Sequence, residues 1–334
     1  MRATCEGTTV YVGEDGLSLY EQGGYGRPER GRLRLGPHEA LYLVHRAKIE
    51  VTGHSFDSLL SLFSRERHFL RTFLVYRDLR ERGYAVQSGP HDFRVYRRGE
   101  RPGSGESLYL VRVLSERDLI NFEDLSREVI TSSNMRKQYV LAVVDDEDEI
   151  TYYEVRTQIL KGETPSPPPP QCEGEQLGSG AVLRDPPEEL EKAWFGKHLD
   201  PSRTLLSAVE ACFLAMSGVL QLIRGGQPVT AEDYGAAASA LDPEFHEKVR
   251  VYGDLRSRGY IPKTGYKFGH HFRVYRREKT HSEMLVQAIG KGVTIPMNII
   301  ARSVRLAHSV KKKMLFACIY AESIQYIEFG RVKL

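Results

Sequence analysis

The sequence predicts a mixed α/β (α+β) protein built from two tandem repeats, and three observations support this prediction. Residues 76–84, Tyr-Arg-Asp-Leu-Arg-Glu-Arg-Gly-Tyr, return at 252–260 as Tyr-Gly-Asp-Leu-Arg-Ser-Arg-Gly-Tyr, and Phe-Arg-Val-Tyr-Arg-Arg occurs at 93–98 and at 272–277. Strand-like apolar runs alternate with segments of helical spacing. A proline run separates the two copies. Whole motifs repeated in the same order indicate duplicated structural units.

The proline-rich segment sets the predicted domain boundaries. Polyproline is extended and cannot pack as a helix or a central strand, so 163–179 is expected to be a linker. The first repeat is then 1–162, and the second is 180–334. Each repeat is expected to pair a small N-terminal α/β subdomain with a C-terminal subdomain that contains a mixed sheet. The predicted subdomains are about 1–64, 65–162, 180–240 and 241–334.

Local signals place the main elements of these subdomains. A helix is predicted to begin near Gly36 and Pro37, after a turn rich in glycine and arginine. Asp242 is predicted to cap a second helix, with Pro243 at its first position. In the last subdomain, strands are predicted at 272–275, 284–289, 314–319 and 324–329, with a helix at 295–307. A strand, a helix and a strand in one sheet imply a crossover connection.

The charge is unevenly distributed along the 334 residues. The net charge is +3, but 248–334 contain 18 Lys and Arg against 5 Asp and Glu, a net charge of +13 that leaves about −10 elsewhere. This asymmetry indicates either a polyanionic partner or a solvated basic surface. No apolar run reaches the roughly 18 residues of a membrane span, and the N-terminus lacks a secretory pattern, so a cytoplasmic protein is expected.

Metal and redox sites are not indicated by the cysteines. The four cysteines form no C-x-x-C pair, so we expect free thiols, without a zinc site or a redox motif. No other cofactor is predicted.

Three side chains at predicted strand ends suit metal-free RNA cleavage. Tyr275 closes one strand, while His281 and Lys312 precede two others. The reaction needs a base for the 2′-hydroxyl, an acid for the 5′-oxygen and a cation for the phosphorane. Free tyrosine titrates near pH ~10, so the base role requires nearby cations. From the residues alone, a packed tyrosine, a surface histidine and a solvated lysine run remain alternatives.

Several motifs resemble the archaeal tRNA-splicing (tRNA-intron) endonucleases of the tandem-repeat, homodimeric type. They are residues 254–269 and 272–275, His281-Ser282 before an apolar strand, and Val-Arg-Leu-Ala-His-Ser-Val-Lys-Lys-Lys at 304–313. Residues 25–28 and 39–43 resemble the family's N-terminal subdomain. The resemblance implies nuclease-like C-terminal subdomains and an endoribonuclease that excises introns from precursor tRNA at bulge–helix–bulge junctions. It implies transesterification without metal, which leaves 2′,3′-cyclic phosphate and 5′-hydroxyl ends.

The same resemblance implies which residues act. Tyr275, His281 and Lys312 match the family's catalytic triad. Arg305 matches an arginine implicated in RNA binding, and Arg331 and Lys267 are further RNA-binding candidates.

The first repeat departs from this pattern. It keeps Tyr96 and Lys137, but Glu106 occupies the position of the histidine. We therefore expect a structural, catalytically degenerate repeat. In the family, an acidic loop of the structural repeat docks into a basic groove of the opposite subunit, and the matching residues are Asp145, Asp146, Glu147, Asp148 and Glu149. A solvated hairpin tip is the alternative for this loop.

Two other functions remain open at this stage. A non-catalytic RNA-binding or assembly subunit would bind folded RNA without cutting it. A metal-dependent DNA nuclease would need carboxylates grouped around Mg²⁺. The acids of the C-terminal third, such as Glu278 and Glu283, do not form such a group in the sequence.

Overall fold

The computed structural model describes the chain except residues 164, 166, 277–280 and 322, so Glu278 lies outside the described residues. The chain divides into two compact units. The first unit contains Met1–Arg156, Thr294–Ala301 and Phe329–Leu334, and the second contains Thr157–Val293 and Arg302–Glu328. Each unit has its own hydrophobic core. The prediction of a mixed α/β protein with duplicated subdomains is confirmed.

The N-terminal subdomain of the first repeat is a five-stranded sheet with three helices. Strands β1–β5 are Arg2–Glu6, Thr9–Val12, Arg27–Glu29, Arg32–Leu35 and Glu50–Val51, and helices α1–α3 are Leu17–Gly23, Pro37–His45 and Phe56–Phe63. The strand order is β3-β4-β2-β1-β5, and only the β1–β5 pairing is parallel. As predicted, α2 begins at Pro37 after Gly36.

The C-terminal subdomain of the first repeat contains a mixed sheet. Its elements are α4 Phe69–Glu81, β6 Val86–Ser88, β7 Phe93–Tyr96, β8 Ser107–Ser115, β9 Leu119–Asn121, α5 Phe122–Asn134, β10 Gln138–Val144 and β11 Ile150–Gln158. The order is β11-β10-β8-β7-β6. Strands β8 and β10 are parallel and α5 connects them. The Asn121 side chain caps α5 by accepting the N–H groups of Glu123 and Asp124.

The second repeat begins with a subdomain of the same design. Its elements are β12 Cys172–Leu177, β13 Gly180–Arg184, α6 Glu188–Lys192, β14 Lys197–Asp200, β15 Arg203–Leu206, α7 Ala208–Met216, β16 Leu220–Arg224, β17 Gln227–Val229 and α8 Ala231–Leu241. The strand order is β14-β15-β13-β12-β16-β17, with β12 and β16 parallel.

The C-terminal subdomain of the second repeat contains the predicted crossover. Its elements are α9 Phe245–Ser257, β18 Tyr260–Thr264, β19 Phe272–Arg276, β20 Met284–Ile289, β21 Thr294–Pro296, α10 Met297–Ser309, β22 Lys313–Ile319 and β23 Ile324–Val332. The sheet order is β18-β19-β20-β22-β23. Strands β20 and β22 are parallel and α10 connects them, which confirms the four predicted strands and their crossover.

The repeated sequence motif is explained by a repeated hydrogen-bond network. In α9, the Asp254 carboxylate accepts Tyr326 Oη–H at 2.7 Å and Arg258 Nε–H at 2.7 Å. In α4, Asp78 accepts Tyr152 Oη–H at 2.6 Å and an Arg82 N–H at 2.7 Å. The motif therefore joins each helix to the last strand of its own repeat.

Two helix starts differ from their predictions. Asp242 directly follows α8, and α9 begins at Phe245 rather than at Pro243, while the Asp242 carboxylate accepts the Glu244 N–H and pairs with Lys248. The helix expected at 295–307 is α10, which begins at Met297. Residues Thr294–Pro296 instead pair with β9 in the first unit, a partner too distant in sequence for local signals to indicate.

The expected linker at 163–179 is partly ordered into a sheet. Cys172–Leu177 form β12, whose backbone pairs with both β13 and β16. The Gly/Glu-rich composition of this strand does not indicate β structure. The strand contains few apolar side chains, so its stability comes mainly from backbone pairing at both edges. Residues 164 and 166 of the predicted linker lie outside the described residues.

Two further features of the described residues bear on the sequence predictions. The four cysteines are free thiols, and Cys212 and Cys318 are buried. In the part of the chain that the structure describes, no helix has the length and apolarity needed to cross a membrane.

Gly26 tests how the glycine-rich turn supports the first repeat. Its φ is +65°, and a Cβ there would lie within 3.0 Å of the Arg34 carbonyl oxygen. We expect Gly26→Ala to lower the free energy of unfolding by about 2–3 kcal/mol, from left-handed strain and displaced backbone. Gly53, with φ +73° and open space around it, is the matched control. Gly53→Ala should cost only about 1 kcal/mol in urea denaturation. Equal losses would show that the clash is relieved without cost.

Candidate functional site

The sheet of the second unit brings three strand ends to one edge. Strand β19 is antiparallel to β20, with Val274 opposite Met284, and β20 is parallel to β22, with Met284 opposite Lys313. The Glu283 N–H donates to the Val274 carbonyl at 2.9 Å, and the Lys313 N–H donates to the Glu283 carbonyl at 3.1 Å. The C-terminal end of β19 therefore lies beside the N-terminal ends of β20 and β22.

The predicted triad lies at this edge. Tyr275 is the penultimate residue of β19, His281 lies three residues before β20, and Lys312 directly precedes β22. The Lys312 Nζ donates to the carbonyl oxygen of Ser282 at 2.6 Å, which ties the lysine to the residue next to the histidine. His281 is exposed, whereas Tyr275 and Lys312 are half-buried.

Two cations, Arg273 and Lys267, act electrostatically on Lys312. Its pKa is lowered from the ordinary lysine value because partial burial removes water from the ammonium group and because Arg273 and Lys267 are also positive. The repulsion of Lys312 by Arg273 and Lys267 would be relieved by an anion such as phosphate, which positive charge attracts. Lys267 is exposed on the 3₁₀ turn Tyr266–Phe268, with its Nζ 5.1 Å from the Phe268 ring centroid.

Arg273 links the tyrosine to this cluster. Its guanidinium carbon lies 5.6 Å from the centroid of the Tyr275 ring, and its charge acts on Lys312. The two clefts of the site are nevertheless distinct. His281 and Lys312 line a cleft of about 1190 Å³, whereas Tyr275 and Arg273 line a cleft of about 1090 Å³.

The other RNA-binding candidates are placed differently. Arg305 is exposed on α10 in the second unit, seven residues before Lys312. Arg331 is exposed on β23 but belongs to the first unit. The structure therefore groups Lys267 with Lys312 by charge, and it assigns Arg305 but not Arg331 to the unit that carries the triad.

The first unit has different chemistry at the corresponding edge. Lys137 Nζ lies 3.2 Å from the carboxylate of Glu106, which neutralises it. Tyr96 is buried, and its hydroxyl donates to Gln87 Oε1 at 3.2 Å. This edge therefore lacks the imidazole that His281 supplies in the second unit, and its lysine is paired with a carboxylate.

The acidic segment 145–149 forms the exposed turn between β10 and β11. The Asp145 carboxylate accepts the N–H groups of Glu147 and Glu149 at 3.0 and 2.9 Å, which fixes the turn. Asp146 pairs with Arg117 in the same unit. All five acids are exposed, so the turn presents a compact negative surface.

Two residues of the site were missed by the sequence analysis. Arg273 belongs to the repeated motif at 272–277 but was not predicted to act at the site, and Trp194 was not predicted at all. The Trp194 ring centroid lies 6.1 Å from that of Tyr275. Trp194 is the only tryptophan in the chain, which was the available signal.

Among the residues that the structure describes, no cluster of three or more His, Cys, Asp or Glu side chains is arranged to hold a metal ion.

Comparisons with known proteins agree along the whole chain. The family model described as tRNA intron endonuclease, catalytic C-terminal domain, matches residues 69–152 and 245–326, and the model of the N-terminal domain matches 1–60 and 172–234. A tRNA-splicing endonuclease of Methanococcoides burtonii is 38% identical, with 100% of both chains covered. Proteins of the same name from Methanosarcina mazei and Natronomonas pharaonis are 37% and 34% identical, covering 100% and 97% of this chain and 99% and 97% of their own.

Proposed function

Because the chain belongs to the tRNA intron endonuclease family, we propose that it excises introns from precursor tRNA by cutting bulge–helix–bulge junctions, with Tyr275, His281 and Lys312 as its catalytic residues. The observation that carries this proposal is the shared sheet edge, where Lys312 is hydrogen-bonded to the residue that follows His281.

The proposed reaction is a transesterification within the RNA. The Tyr275 oxygen takes the proton of the 2′-hydroxyl, and the 2′-oxygen attacks the adjacent phosphorus. As the bond from phosphorus to the 5′-oxygen breaks, His281 donates a proton to that oxygen. The products are a 2′,3′-cyclic phosphate and a 5′-hydroxyl, and the step consumes no water and needs no metal.

The positive charges of Lys312, Arg273 and Lys267 support the part of this mechanism that stabilises the phosphorane. Negative charge grows on the non-bridging oxygens as the phosphorane forms, and a fixed ammonium stabilises it more than mobile water does. Lys312 is held by the Ser282 carbonyl at 2.6 Å, so little reorganisation is needed. Arg273 and Lys267 add positive charge that attracts the phosphate.

The first repeat is proposed to be non-catalytic. Glu106 replaces the acid and also neutralises Lys137, so both the proton donor and the free cation are missing from that edge. Its proposed role is architectural.

The decisive assay is incubation of the purified full-length protein with a bulge–helix–bulge RNA in excess EDTA. We expect cleavage within both bulges, and cyclic-phosphate ends that become 2′- or 3′-monophosphates only after acid treatment. Binding without cleavage would instead support the non-catalytic assembly subunit. Cleavage that returns only with added Mg²⁺ would refute the metal-independent mechanism.

We further propose that two copies of the chain form a homodimer, held in part by the acidic turn at 145–149. Its five exposed acids are opposite in sign to the net charge of +13 on residues 248–334. Such complementarity mainly adds specificity and speeds association.

Neutral isosteres test this role without disturbing the turn. Asp146→Asn, Glu147→Gln, Asp148→Asn and Glu149→Gln together remove four charges, while Asp145 keeps its turn-fixing bonds. We expect the dimer Kd to rise at least tenfold in sedimentation velocity at 0.1 M salt. A charge-matched control neutralises four exposed acids elsewhere, Glu188, Glu189, Glu191 and Glu232. An unchanged dimer in the first variant would exclude the turn from the interface.

A further inference from the structure

Trp194 has an unusual backbone conformation for its residue type. Its φ is +61°, in the left-handed region that favours glycine. The flanking residues Ala193 and Phe195 are buried, whereas 39% of the Trp194 surface is exposed. The strained backbone therefore turns the chain's only tryptophan outward while its neighbours pack into the core.

The first repeat shows which residue suffices for folding at the position that corresponds to Trp194. The motifs around Tyr25-Gly26 and Phe195-Gly196 correspond, so Gly24 is the counterpart of Trp194. Gly24 has φ +64°, the same conformation without the strain. The unit that carries the candidate catalytic site has a bulky aromatic residue where the other unit has glycine. A strained residue retained at such a place suggests a role in function.

The surroundings indicate what the indole contacts. Its ring centroid lies 6.1 Å from that of Tyr275 with an interplanar angle of 46°, and both line the cleft of about 1090 Å³. Exposed Lys197 and half-buried Arg273 line the same cleft. Exposed aromatic rings among cations are the features that bind unpaired nucleotides, because bases stack on the rings while cations hold the phosphates.

We propose that Trp194 stacks on an unpaired base of the substrate RNA next to the scissile phosphate and so contributes to the choice of cleavage site. The inference rests on the function proposed above. A bulged nucleotide has already lost its pairing, so its base can leave the helix at lower cost than a paired base. Stacking beside Tyr275 would hold the neighbouring 2′-hydroxyl near the proposed base. Stacking tolerates all four bases, so this residue would recognise an unpaired base rather than a sequence.

The test uses Trp194→Gly, Trp194→Phe and the unchanged Trp194, each in a His281→Ala background that should bind RNA without cutting it. Glycine matches the first repeat, so we expect Trp194→Gly to melt at the same or a higher temperature. The same variant should bind bulge–helix–bulge RNA about 5- to 140-fold more weakly. Phenylalanine should restore most of the affinity. Met216→Ala, which removes an exposed apolar side chain outside the cleft, should leave affinity unchanged.

Two readouts identify the base contact. Since Trp194 is the only tryptophan, saturating RNA should quench the protein's indole fluorescence. RNA with an abasic residue at the contacted bulge position should bind the Trp194 protein more weakly, but it should cause no further loss in Trp194→Gly. Unchanged fluorescence, or the same abasic penalty in both proteins, would overturn the inference. Failure of the wild type to cut RNA in EDTA would refute the proposed function, while quenching and abasic coupling would still report the base contact.

Discussion

Replacing His281 with alanine should lower the rate of RNA cleavage by about 10²–10⁴-fold, the usual contribution of a positioned general acid. RNA affinity should change less than threefold, because His281 is exposed and contributes little packing. Single-turnover cleavage in EDTA measures the rate, and filter binding measures the affinity. His308→Ala is the matched control, since His308 is also exposed and lines the same cleft.

A modified RNA distinguishes an acid from a residue that only positions the substrate. If the 5′-oxygen at the cleavage site is replaced by sulfur, the leaving thiolate needs no proton. His281→Ala should then cut at close to the wild-type rate. Lys312→Met should remain slow on the same RNA, because stabilisation of the phosphorane charge is still required. Slow cleavage of the sulfur substrate by His281→Ala would contradict the acid role.

Removing Lys263 should cause the largest stability loss among the variants considered. Its Nζ lies 2.7 Å from Glu210 Oε1 and 3.3 Å from the Gly196 carbonyl. The Glu210 side chain is only 7% exposed. Lys263→Met leaves this carboxylate buried without its cation, which typically costs about 3–5 kcal/mol. The free energy of unfolding in urea at pH 7 measures the loss, and a cost below about 1 kcal/mol would contradict the prediction.

The first repeat supplies a matched comparison for this ion pair. Glu39 accepts the Gly26 N–H at 2.7 Å, as Glu210 accepts the Gly196 N–H at 3.2 Å. Gln87 donates to the Gly26 carbonyl at 3.5 Å, and Lys263 donates to the Gly196 carbonyl at the corresponding place in the second repeat. Lys263→Gln should therefore cost less than Lys263→Met, because an amide can keep the carbonyl contact.

The pKa values of Glu39 and Glu210 also predict how the stability of the fold depends on pH. Burial raises the pKa of both, and for Glu39 the net pKa is raised. For Glu210, attraction to Lys263 and hydrogen bonds from Lys263 and Ser207 outweigh burial, so its pKa is lowered.

Glu210 thus stabilises the fold above its unfolded pKa, and this contribution is lost as pH falls through the folded pKa. Without Lys263, burial dominates and the folded pKa rises. The penalty of Lys263→Met should therefore be greatest at neutral pH and shrink on acidification. A penalty that does not depend on pH would show that Glu210 is not the source of the loss.

Contacts between distant residues limited what the sequence predicted about the fold. The strands at 284–289 and 314–319 were predicted within one residue, because their apolar runs are long. The start of α10 was misplaced because Ile295 pairs with Ile120 in β9. The strand β12 was missed because its backbone partners are β13 and β16, and its own composition resembles a linker.

The candidate site divides in a similar way. The order of Tyr275, His281 and Lys312 along the chain, and the glutamate in place of histidine in the first repeat, were visible in the sequence. The bond from Lys312 to the Ser282 carbonyl and the influence of Arg273 were not, because they depend on how strands pack side by side.

The sequence by itself determined the duplication, the α/β class, the family and the candidate catalytic residues, because these depend on residue identity and local periodicity. Only the tertiary structure decided which charges meet at the sheet edge, why the repeated aspartates recur, and how Trp194 is placed beside Tyr275. Those properties arise from through-space distances and from burial, which changes the free energy of a charge by amounts that no local sequence pattern specifies.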